Sequence, residues 1–266
     1  MLMCFFCKKG GVGKTTATGE YACYLTTMGK RVLVISIDDQ NSLFEMFGLS
    51  SKVFERDDNY LEHFVNGACT TDDVLIPLRE NLYGVKTLNT DMLSKKLTLE
   101  RSFERNFISA IGQLQNGFDF VFFDLPPSSN RTTEVLLERT DLLMLIVELN
   151  KLGINGFYNT LQYFVDNDIA LDKIRYVLPN GYSKTKSAPG VALGELKALI
   201  TDNIPHTTLL PLMPEKSLFQ SLQQKGVILF DDNASAQAKT LTSYELRQKK
   251  TVMEIMSALF DSIEFA

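Results

Sequence analysis

The sequence predicts an α/β fold with a doubly wound, mostly parallel β-sheet flanked by helices. An apolar run at residues 2–7 leads through a glycine-rich turn into a helical pattern that stops at Gly29. Further apolar runs at 31–37, 118–123 and 142–147 are rich in Val, Leu, Ile or Phe, which is typical of parallel strands buried on both faces. Strands that alternate with helical segments in this way indicate β-α-β units.

The composition is that of an ordinary globular protein, with 45% hydrophobic and 22% charged residues. We therefore expect a single domain over residues 1–266. No segment resembles a signal peptide or approaches the roughly 20 apolar residues of a membrane span, so we expect a cytoplasmic protein without a membrane partner. A net charge of −5 and a pI near 5.2 argue against a wholly basic nucleic-acid binder but leave room for a local basic patch.

The cysteines are expected to be reduced thiols. Cys4 and Cys7 have a spacing seen in metal sites, but both fall in the predicted first strand. Residues three apart on a strand point to opposite faces, so we do not expect them to share a metal.

The turn after the first run has the residues of a phosphate-binding loop: Gly10, Gly11, Val12, Gly13, Lys14, Thr15 and Thr16. Glycines let backbone N–H groups converge on phosphate oxygens, and the following helix N-terminus adds partial positive charge. Lys14 is expected to reach the β- and γ-phosphates of a nucleotide, and the Thr15 hydroxyl to hold Mg²⁺. The alternative is a strand–turn–helix with incidental glycines.

One departure from the usual loop is informative. The pattern G-x-x-x-x-G-K-[ST], anchored on Lys14, requires glycine at position 8, where this chain has Lys8. The stretch from Lys9 to Thr16, KGGVGKTT, resembles the deviant Walker A box of the ParA/MinD family of ATPases. The resemblance implies that the chain binds ATP and Mg²⁺. It also implies that Lys9 reaches across a nucleotide-sandwiched homodimer to the partner's phosphates. Alternatively, the two lysines form a basic patch beside an anion site.

The second run, 31–37, ends at an acidic segment. An acidic residue at the carboxyl end of a parallel strand beside a phosphate loop can reach a bound nucleotide's γ-phosphate, water or metal. The ParA family has D-x-D-P-Q here, and Ser36-Ile37-Asp38-Asp39-Gln40 matches it at Asp38 and Gln40. The resemblance implies that Asp38 orients the attacking water, senses the γ-phosphate and contacts the metal. Alternatively, Asp38 caps the next helix.

The run at 118–123 is closed by Asp124, which is typical of a Walker B strand whose carboxylate acts on Mg²⁺ directly or through water. The following Leu125-Pro126-Pro127 completes the D-x-P-P of the ParA family and implies a second switch loop. Prolines stiffen its exit, so the loop can move as a unit.

A later predicted strand at 174–178 is followed by Pro179 and Asn180. In relatives an asparagine here recognises the adenine edge, so the resemblance implies that Asn180 reads the base. Alternatively, Asn180 serves a turn with Gly181.

The remaining segments carry weaker predictions. We expect helices at 15–28, 60–66, 99–114 and 191–200, strands at 82–88 and 207–210, a polar loop at 183–190, a helical stretch between Pro214 and Gly226, and a helical tail at 234–265. An apolar stripe runs along the tail: Val252, Ile255, Met256, Leu259, Phe260 and Ile263. A membrane-surface helix requires more Lys and Arg around such a stripe, so we expect the tail to pack against the body.

The resemblance implies a ParA-type ATPase for plasmid or chromosome segregation or for cargo positioning. The ATP-bound homodimer is expected to bind duplex DNA without sequence preference, to associate with the nucleoid, and to hydrolyse ATP when a ParB-like or adaptor protein stimulates it. Candidate DNA contacts are the basic residues Lys184, Lys186, Lys216, Lys225, Lys239, Arg247, Lys249 and Lys250. The alternatives are a MinD-like membrane-associated regulator and a metabolic enzyme on the same fold.

Overall fold

The structure is a computed structural model that describes residues 1–40, 42–49, 60–181, 188–214, 217–231 and 241–264. Its strands are β1 Leu2–Phe6, β2 Val32–Ser36, β3 Ile76–Arg79, β4 Leu82–Val85, β5 Phe120–Asp124, β6 Leu142–Glu148, β7 Ile174–Asn180 and β8 Thr208–Leu209. They form one sheet in the order β3-β4-β2-β5-β1-β6-β7-β8, in which only the β3–β4 pair is antiparallel among the described strands. The predicted doubly wound, mostly parallel sheet is confirmed.

Helices cover both faces of this sheet. They are α1 Lys14–Thr27, α2 Ser42–Met46, α3 Leu61–Val65, α4 Thr71–Val74, α5 Thr90–Leu99, α6 Arg101–Gln115, α7 Arg131–Arg139, α8 Lys151–Asp166, α9 Ala188–Asn203, α10 Ser217–Gln224 and α11 Ser243–Asp261. A 3₁₀ turn, Leu171–Lys173, precedes β7. None of the helices in the described ranges is both long enough and apolar enough to cross a membrane.

The position of β1 determines where a ligand can bind. Met3 on β1 pairs with Phe122 of β5 on one side and with Leu142 of β6 on the other. The connection after β1 runs through α1 to β2 on one side of this pair, whereas the connection after β5 runs through α7 to β6 on the other side. This reversal opens a crevice at the carboxyl ends of β1 and β5. On the next pair, β6 and β7, the last register partners are Glu148 and Asn180.

The two faces of the sheet build two cores. Cys4 and Phe6 belong to the core that packs α3 to α9, whereas Met3, Phe5 and Cys7 belong to the core that packs α1, α2, α10 and α11. The side chains of β1 alternate between the faces, as a strand requires. Cys4 and Cys7 are free thiols on opposite faces, as their spacing predicts.

The predicted tail helix packs against the body. Phe260 of α11 stacks on Tyr21 of α1 with ring centroids 4.5 Å apart, and most of the predicted stripe is buried. Ile255 is the exception: it is 41% exposed, so its assignment to the stripe was wrong. The helix begins at Ser243 because Thr242 and Glu245 form a capping box. The parts of the prediction at 234–240 and at residue 265 lie outside the described residues.

One helix was missed, and several other predicted boundaries were wrong. Helix α5 was missed, although Asn89 marks its start by accepting the N–H of Met92. The helix predicted at 99–114 begins at Arg101, because the backbone of Glu100 is extended. Strand β4 ends at Val85, and the next residue, Lys86, pairs with Tyr60 in an isolated bridge. The polar loop predicted at 183–190 is helical from Ala188, and residues 182–187 lie outside the described part. Pro189 fits there, because proline is tolerated in the first turn of a helix.

A buried carboxyl connects α1 to the segment before α11. Glu20 is 1% exposed, and both its oxygens accept the N–H of Leu229, at 3.0 and 3.2 Å. Burial raises the pKa of Glu20 to about 8; the Leu229 N–H and Lys249 act to lower it, while Asp231 raises it. The carboxyl is therefore held largely protonated in the folded chain at neutral pH.

Replacing Glu20 with glutamine should stabilise the fold at alkaline pH. The pKa of Glu20 is higher in the folded chain than in an unfolded chain, so the folded state binds the proton more tightly. The free energy of unfolding that the protonated Glu20 contributes is fully present below about pH 4.5 and is lost as the pH rises through about 8. Because one pKa unit corresponds to about 1.4 kcal/mol, the free energy of unfolding of Glu20→Gln should exceed that of the wild type by a few kcal/mol at about pH 9.

The measurement is urea denaturation across pH, with the exposed Glu254→Gln on α11 as control. A stability difference between Glu20→Gln and wild type that stays constant from about pH 5 to about pH 9 would contradict the assignment.

Candidate nucleotide-binding site

The phosphate loop connects β1 to α1 at the crevice. Its glycines are required by geometry, because Gly11 has φ +70° and Gly13 has φ +100°. A Cβ on Gly13 would also lie 2.7 Å from the Nδ2 of Asn180. Only glycine lets the loop approach β7 this closely, so the predicted loop sits directly beside the predicted base-reading residue.

A cavity of about 300 Å³ opens over the loop. Its walls are formed by Gly10, Gly11, Gly13, Lys14, Thr15, Thr16, Asp38, Leu125, Pro127, Asn180, Met213, Phe219, Gln220 and Gln223. The structure therefore brings most of the predicted site residues together. Asp124 is buried beneath the loop, Val12 packs in the core, and Lys9 lies outside the cavity on a neighbouring groove.

Lys14 is buried at the first position of α1. Its Nζ donates to the backbone oxygen of Lys9 at 3.2 Å. Burial lowers the pKa of Lys14, while Asp124 and Asp38 are among the neighbours that act to raise it. A buried cation that donates to a neutral carbonyl in the cavity floor is well placed to exchange that contact for phosphate oxygens.

Thr15 and Asp124 meet beneath the loop. The Thr15 hydroxyl donates to Oδ1 of Asp124 at 3.1 Å. Burial raises the pKa of Asp124 to about 7, and Asp38 adds to this, whereas Thr15 and Lys14 act to lower it. A hydroxyl and a carboxylate beside a phosphate site are hard oxygen donors that fit Mg²⁺, which also takes phosphate oxygens and water. Within the described residues, no cluster of three or more His, Cys, Asp or Glu could hold a metal.

Asp38 follows β2 and borders the cavity. One of its carboxylate oxygens accepts the N–H of Gln40 at 3.0 Å, which closes a local turn. The backbone just before Asp38 is anchored by two threonines that follow β4. The Thr87 hydroxyl donates to the backbone oxygen of Ser36, and the Thr90 hydroxyl donates to that of Ile37. The carboxylate therefore faces the cavity from an anchored strand end.

The loop after β5 approaches the phosphate loop from the other side. Leu125 and Pro127 line the cavity, and a Cβ on Gly10 would lie 3.8 Å from the Cγ of Pro127. A group bound at the loop therefore touches the segment predicted as the second switch.

The two adjacent lysines occupy different environments. The Nζ of Lys9 forms an ion pair with Oε2 of Glu148 at 2.6 Å, with each side chain 24% exposed. The Nζ of Lys8 lies 4.6 Å from the ring centroid of Tyr163. The backbone N–H of Lys8 donates to the Thr160 hydroxyl at 3.0 Å. Lys8 is thereby held against α8, which the sequence alone did not indicate.

Asn180 ends β7 rather than following it. Its side chain is 1% exposed, and its Nδ2 donates to the oxygen of Val12 at 2.6 Å, so the amide fastens β7 to the loop instead of serving a turn. Its Oδ1 is buried without a hydrogen-bond partner among the described residues. An unsatisfied buried acceptor is costly, and the exocyclic amine of adenine would satisfy it.

The sequence analysis missed the wall formed by α10 and the residues before it. Met213 and Phe219 supply apolar surface, Gln220 supplies an amide, and Nε2 of Gln223 donates to the Thr16 hydroxyl at 2.9 Å. The available signal was the stretch after Pro214, where Phe219 and Gln223 are four residues apart and so share one helix face.

A glycine loop at a helix N-terminus, a buried lysine and a hydroxyl–carboxylate pair define a P-loop nucleotide site. A family model described as an AAA domain matches residues 2–172, more than half of the chain. The chain belongs to the ParA/MinD family of P-loop ATPases.

Similar curated proteins include an uncharacterized protein and a sporulation initiation inhibitor protein. Uncharacterized protein Rv1708 of Mycobacterium tuberculosis is 30% identical over 151 residues, covering 56% of this chain and 47% of that protein. The sporulation initiation inhibitor protein Soj of Bacillus subtilis is 25% identical over 161 residues, covering 58% of this chain and 60% of Soj. The chain thus spans about half the length of the curated relatives it matches.

Solved structures extend the likeness over the whole chain. The ATP complex of McdA from Cyanothece has a TM-score of 0.71 at 16% identity, covering 100% of this chain and 98% of that one. Cobyrinic acid a,c-diamide synthase from Mycobacterium smegmatis with ADP and magnesium has a TM-score of 0.68 at 21% identity, covering 84% and 92%. The MinC:MinD complex of Aquifex aeolicus gives 0.67 at 16%, covering 100% and 98%. Identities this low show the fold alone.

Replacing Lys14 with alanine should abolish useful ATP binding. The substitution removes the buried cation from the cavity floor, and each hydrogen bond to a charged group contributes about 1.5–3 kcal/mol. Contacts to two phosphates imply a loss of at least about 100-fold in affinity. Titration calorimetry with ATP and Mg²⁺ measures it, with the exposed Lys30→Ala beyond α1 as the matched control. Equal affinity in Lys14→Ala and wild type would show that the loop is not the site.

Proposed function

We propose that this chain is a single-domain, Mg²⁺-dependent ATPase of the ParA type that dimerises with ATP to position DNA or another cargo. The observation that carries the proposal is the location of Lys9. Lys14 already occupies the cavity of its own subunit, whereas the Lys9 ammonium lies outside that cavity and lines a surface groove. A partly exposed cation beside a phosphate loop is suited to the phosphates of a second, facing subunit.

Hydrolysis follows from positioning and charge, as phosphoryl transfer requires. The loop N–H groups and Lys14 hold the β- and γ-phosphates. Thr15, Asp124 and Asp38 are the oxygen donors that would hold Mg²⁺, and the metal would supply positive charge to the phosphate oxygens. Asp38 faces the cavity from the end of β2, where its carboxylate orients the attacking water.

Adenine is the base that the cavity accommodates best. The Asn180 Oδ1 accepts from the exocyclic amine, while Met213 and Phe219 supply apolar contact for the ring. Guanine has a carbonyl oxygen at the corresponding position, so it would leave the buried Oδ1 facing a second acceptor.

DNA contact is proposed at the start of α11. Among the candidate basic residues, Lys184, Lys186, Lys216 and Lys239 lie outside the described residues. Lys225 forms an ion pair with Glu245 at 2.6 Å, and Lys249 donates to the oxygen of Asp231 at 3.2 Å. Arg247 and Lys250 are exposed, three residues apart on one helix face. A dimer would present this pair twice, so a weak patch becomes useful only with ATP. Hydrolysis, stimulated by a ParB-like or adaptor protein, would then release the DNA.

The proposal is tested by sedimentation and DNA mobility shifts with a non-hydrolysable ATP analogue and Mg²⁺. Wild type should dimerise with the analogue, stay monomeric with ADP, and bind duplex DNA with an affinity that falls steeply as salt rises. Lys9→Ala should bind ATP but remain monomeric, whereas Lys8→Ala should dimerise. The double variant Arg247→Ala/Lys250→Ala should dimerise and lose at least about 10-fold in DNA affinity, with exposed Lys95→Ala as control.

A dimer that binds no DNA at low salt would contradict the DNA role and favour a membrane or protein scaffold instead. A protein that binds ATP but never dimerises would favour a metabolic enzyme on the same fold.

Replacing Asp38 with alanine should trap the ATP-bound dimer. The substitution removes the carboxylate that orients water, and a positioned proton-transfer group contributes about 10²- to 10⁴-fold. We therefore expect turnover to fall by at least about 100-fold in a phosphate-release assay, with ATP binding and dimerisation retained. The neighbouring exposed Asp39→Ala is the matched control. Turnover in Asp38→Ala that equals the wild-type rate would refute the role of this residue.

A further inference from the structure

The ion pair between Lys9 and Glu148 joins the phosphate loop to a distant part of the chain. Glu148 is the last residue of β6, 139 positions from Lys9, and the two atoms of the pair are 2.6 Å apart. The lysine stem is held as well, because it lies against Gly156 of α8. A Cβ on Gly156 would be 2.9 Å from the Cβ of Lys9. Loop, strand end and helix together fix the direction of this side chain.

The same lysine also holds the cation of the cavity. Its backbone oxygen accepts the Nζ of Lys14, so Glu148, Lys9 and Lys14 form a continuous chain of contacts. Lys9 and Lys14 are the two cations that the proposed function directs at phosphates. Each has a partner within its own subunit: Glu148 for Lys9, and the backbone oxygen of Lys9 for Lys14.

These contacts compete with the proposed dimer. A lysine ammonium 2.6 Å from a carboxylate cannot also reach a phosphate on the facing subunit, so the ion pair must break when two subunits close. The groove that Lys9 lines offers room for this movement, with a volume of about 720 Å³ and walls that include Asn155, Asn159 and Gln162. By two-fold symmetry, each closure breaks two such pairs.

We propose that Glu148 is a positioning residue that holds Lys9 in its own subunit and thereby sets the nucleotide requirement for dimerisation. This inference rests on the proposed role of Lys9 in the partner's site. The ion pair must break whichever nucleotide is bound, so it weakens the ATP-bound and the ADP-bound dimer alike. The γ-phosphate adds charged oxygens for Lys9 that a diphosphate lacks, so a triphosphate offsets this cost more readily. Removing the carboxylate should therefore strengthen the dimer with either nucleotide and bring the weaker ADP-bound dimer into a measurable range.

The experiment compares Glu148→Gln with wild type by sedimentation velocity over a range of protein concentrations, with AMP-PNP and Mg²⁺ or with ADP and Mg²⁺. A partly exposed ion pair changes an equilibrium constant by about two- to fivefold. Two pairs per dimer therefore predict a dimer dissociation constant about 4- to 25-fold lower for Glu148→Gln with AMP-PNP. With ADP, the variant should form a measurable dimer at concentrations where wild type is monomeric.

Two further variants make the result specific. Glu104→Gln removes a carboxylate from an ion pair of similar length and exposure, 2.7 Å and 27%, and should leave dimerisation unchanged. In the Lys9→Ala background, Glu148→Gln should have no effect on association, because the residue acts through the lysine. A thermal midpoint within about 3 °C of wild type, a shift below about 1 kcal/mol, shows that the variants are folded.

The outcomes separate this inference from the proposed function. If wild type dimerises, Lys9→Ala does not, and Glu148→Gln dimerises no more tightly than wild type, the holding role of Glu148 is overturned while the proposed function stands. If Lys9→Ala dimerises as wild type does, or no form dimerises with AMP-PNP, the proposed role of Lys9 fails and this inference fails with it. A tighter Glu148→Gln dimer that persists in the Lys9→Ala background also overturns it, since the effect would not pass through Lys9.

Discussion

The close approach of Gly13 to the Asn180 side chain is the constraint on which the site depends. The glycine allows the left-handed turn that starts α1, and the absence of a Cβ lets the end of β7 press against the loop. The Asn180 amide then donates to the oxygen of Val12, which joins the phosphate loop to the proposed base-reading residue. This contact adds to the pairing of β1, β6 and β7 in fixing the distance between the loop and the end of β7.

The charged groups of the site have contacts inside the chain, which are neutral hydrogen-bond partners for Asp124 and Lys14 and an opposite charge for Lys9. The buried carboxyl of Asp124 accepts from Thr15, the Lys14 cation is held by a carbonyl oxygen, and the Lys9 cation is held by Glu148. Buried polar and charged groups are costly unless they have partners, so these contacts hold the side chains of the site in place. Under the proposed function, the contacts of both lysines would be exchanged for phosphate oxygens.

The sequence predicted the parts of the fold that depend on local pattern. Apolar runs located the central strands, and the glycines of the loop located the first helix, because buried strands and positive φ values leave direct marks in the residues. Strand β4 was predicted too long because its end is set by Thr87 and Thr90, whose hydroxyls bond to the exit of β2. The partner of Lys9 could not be predicted: Glu148 is 139 residues away, and no spacing rule connects them. The cavity wall at Gln223 was missed for the same reason, since its contact with Thr16 exists only after folding.

The register of β6 and β7 has a consequence for how the site is held together. Glu148 and Asn180 are partners on adjacent strands, and the N–H of Leu149 donates to the oxygen of Asn180. The proposed base-reading residue and the partner of Lys9 therefore share one register position of the sheet. A shift of β7 against β6 would displace both side chains at once, so the geometry of the cavity and the geometry of the ion pair depend on the same strand pairing.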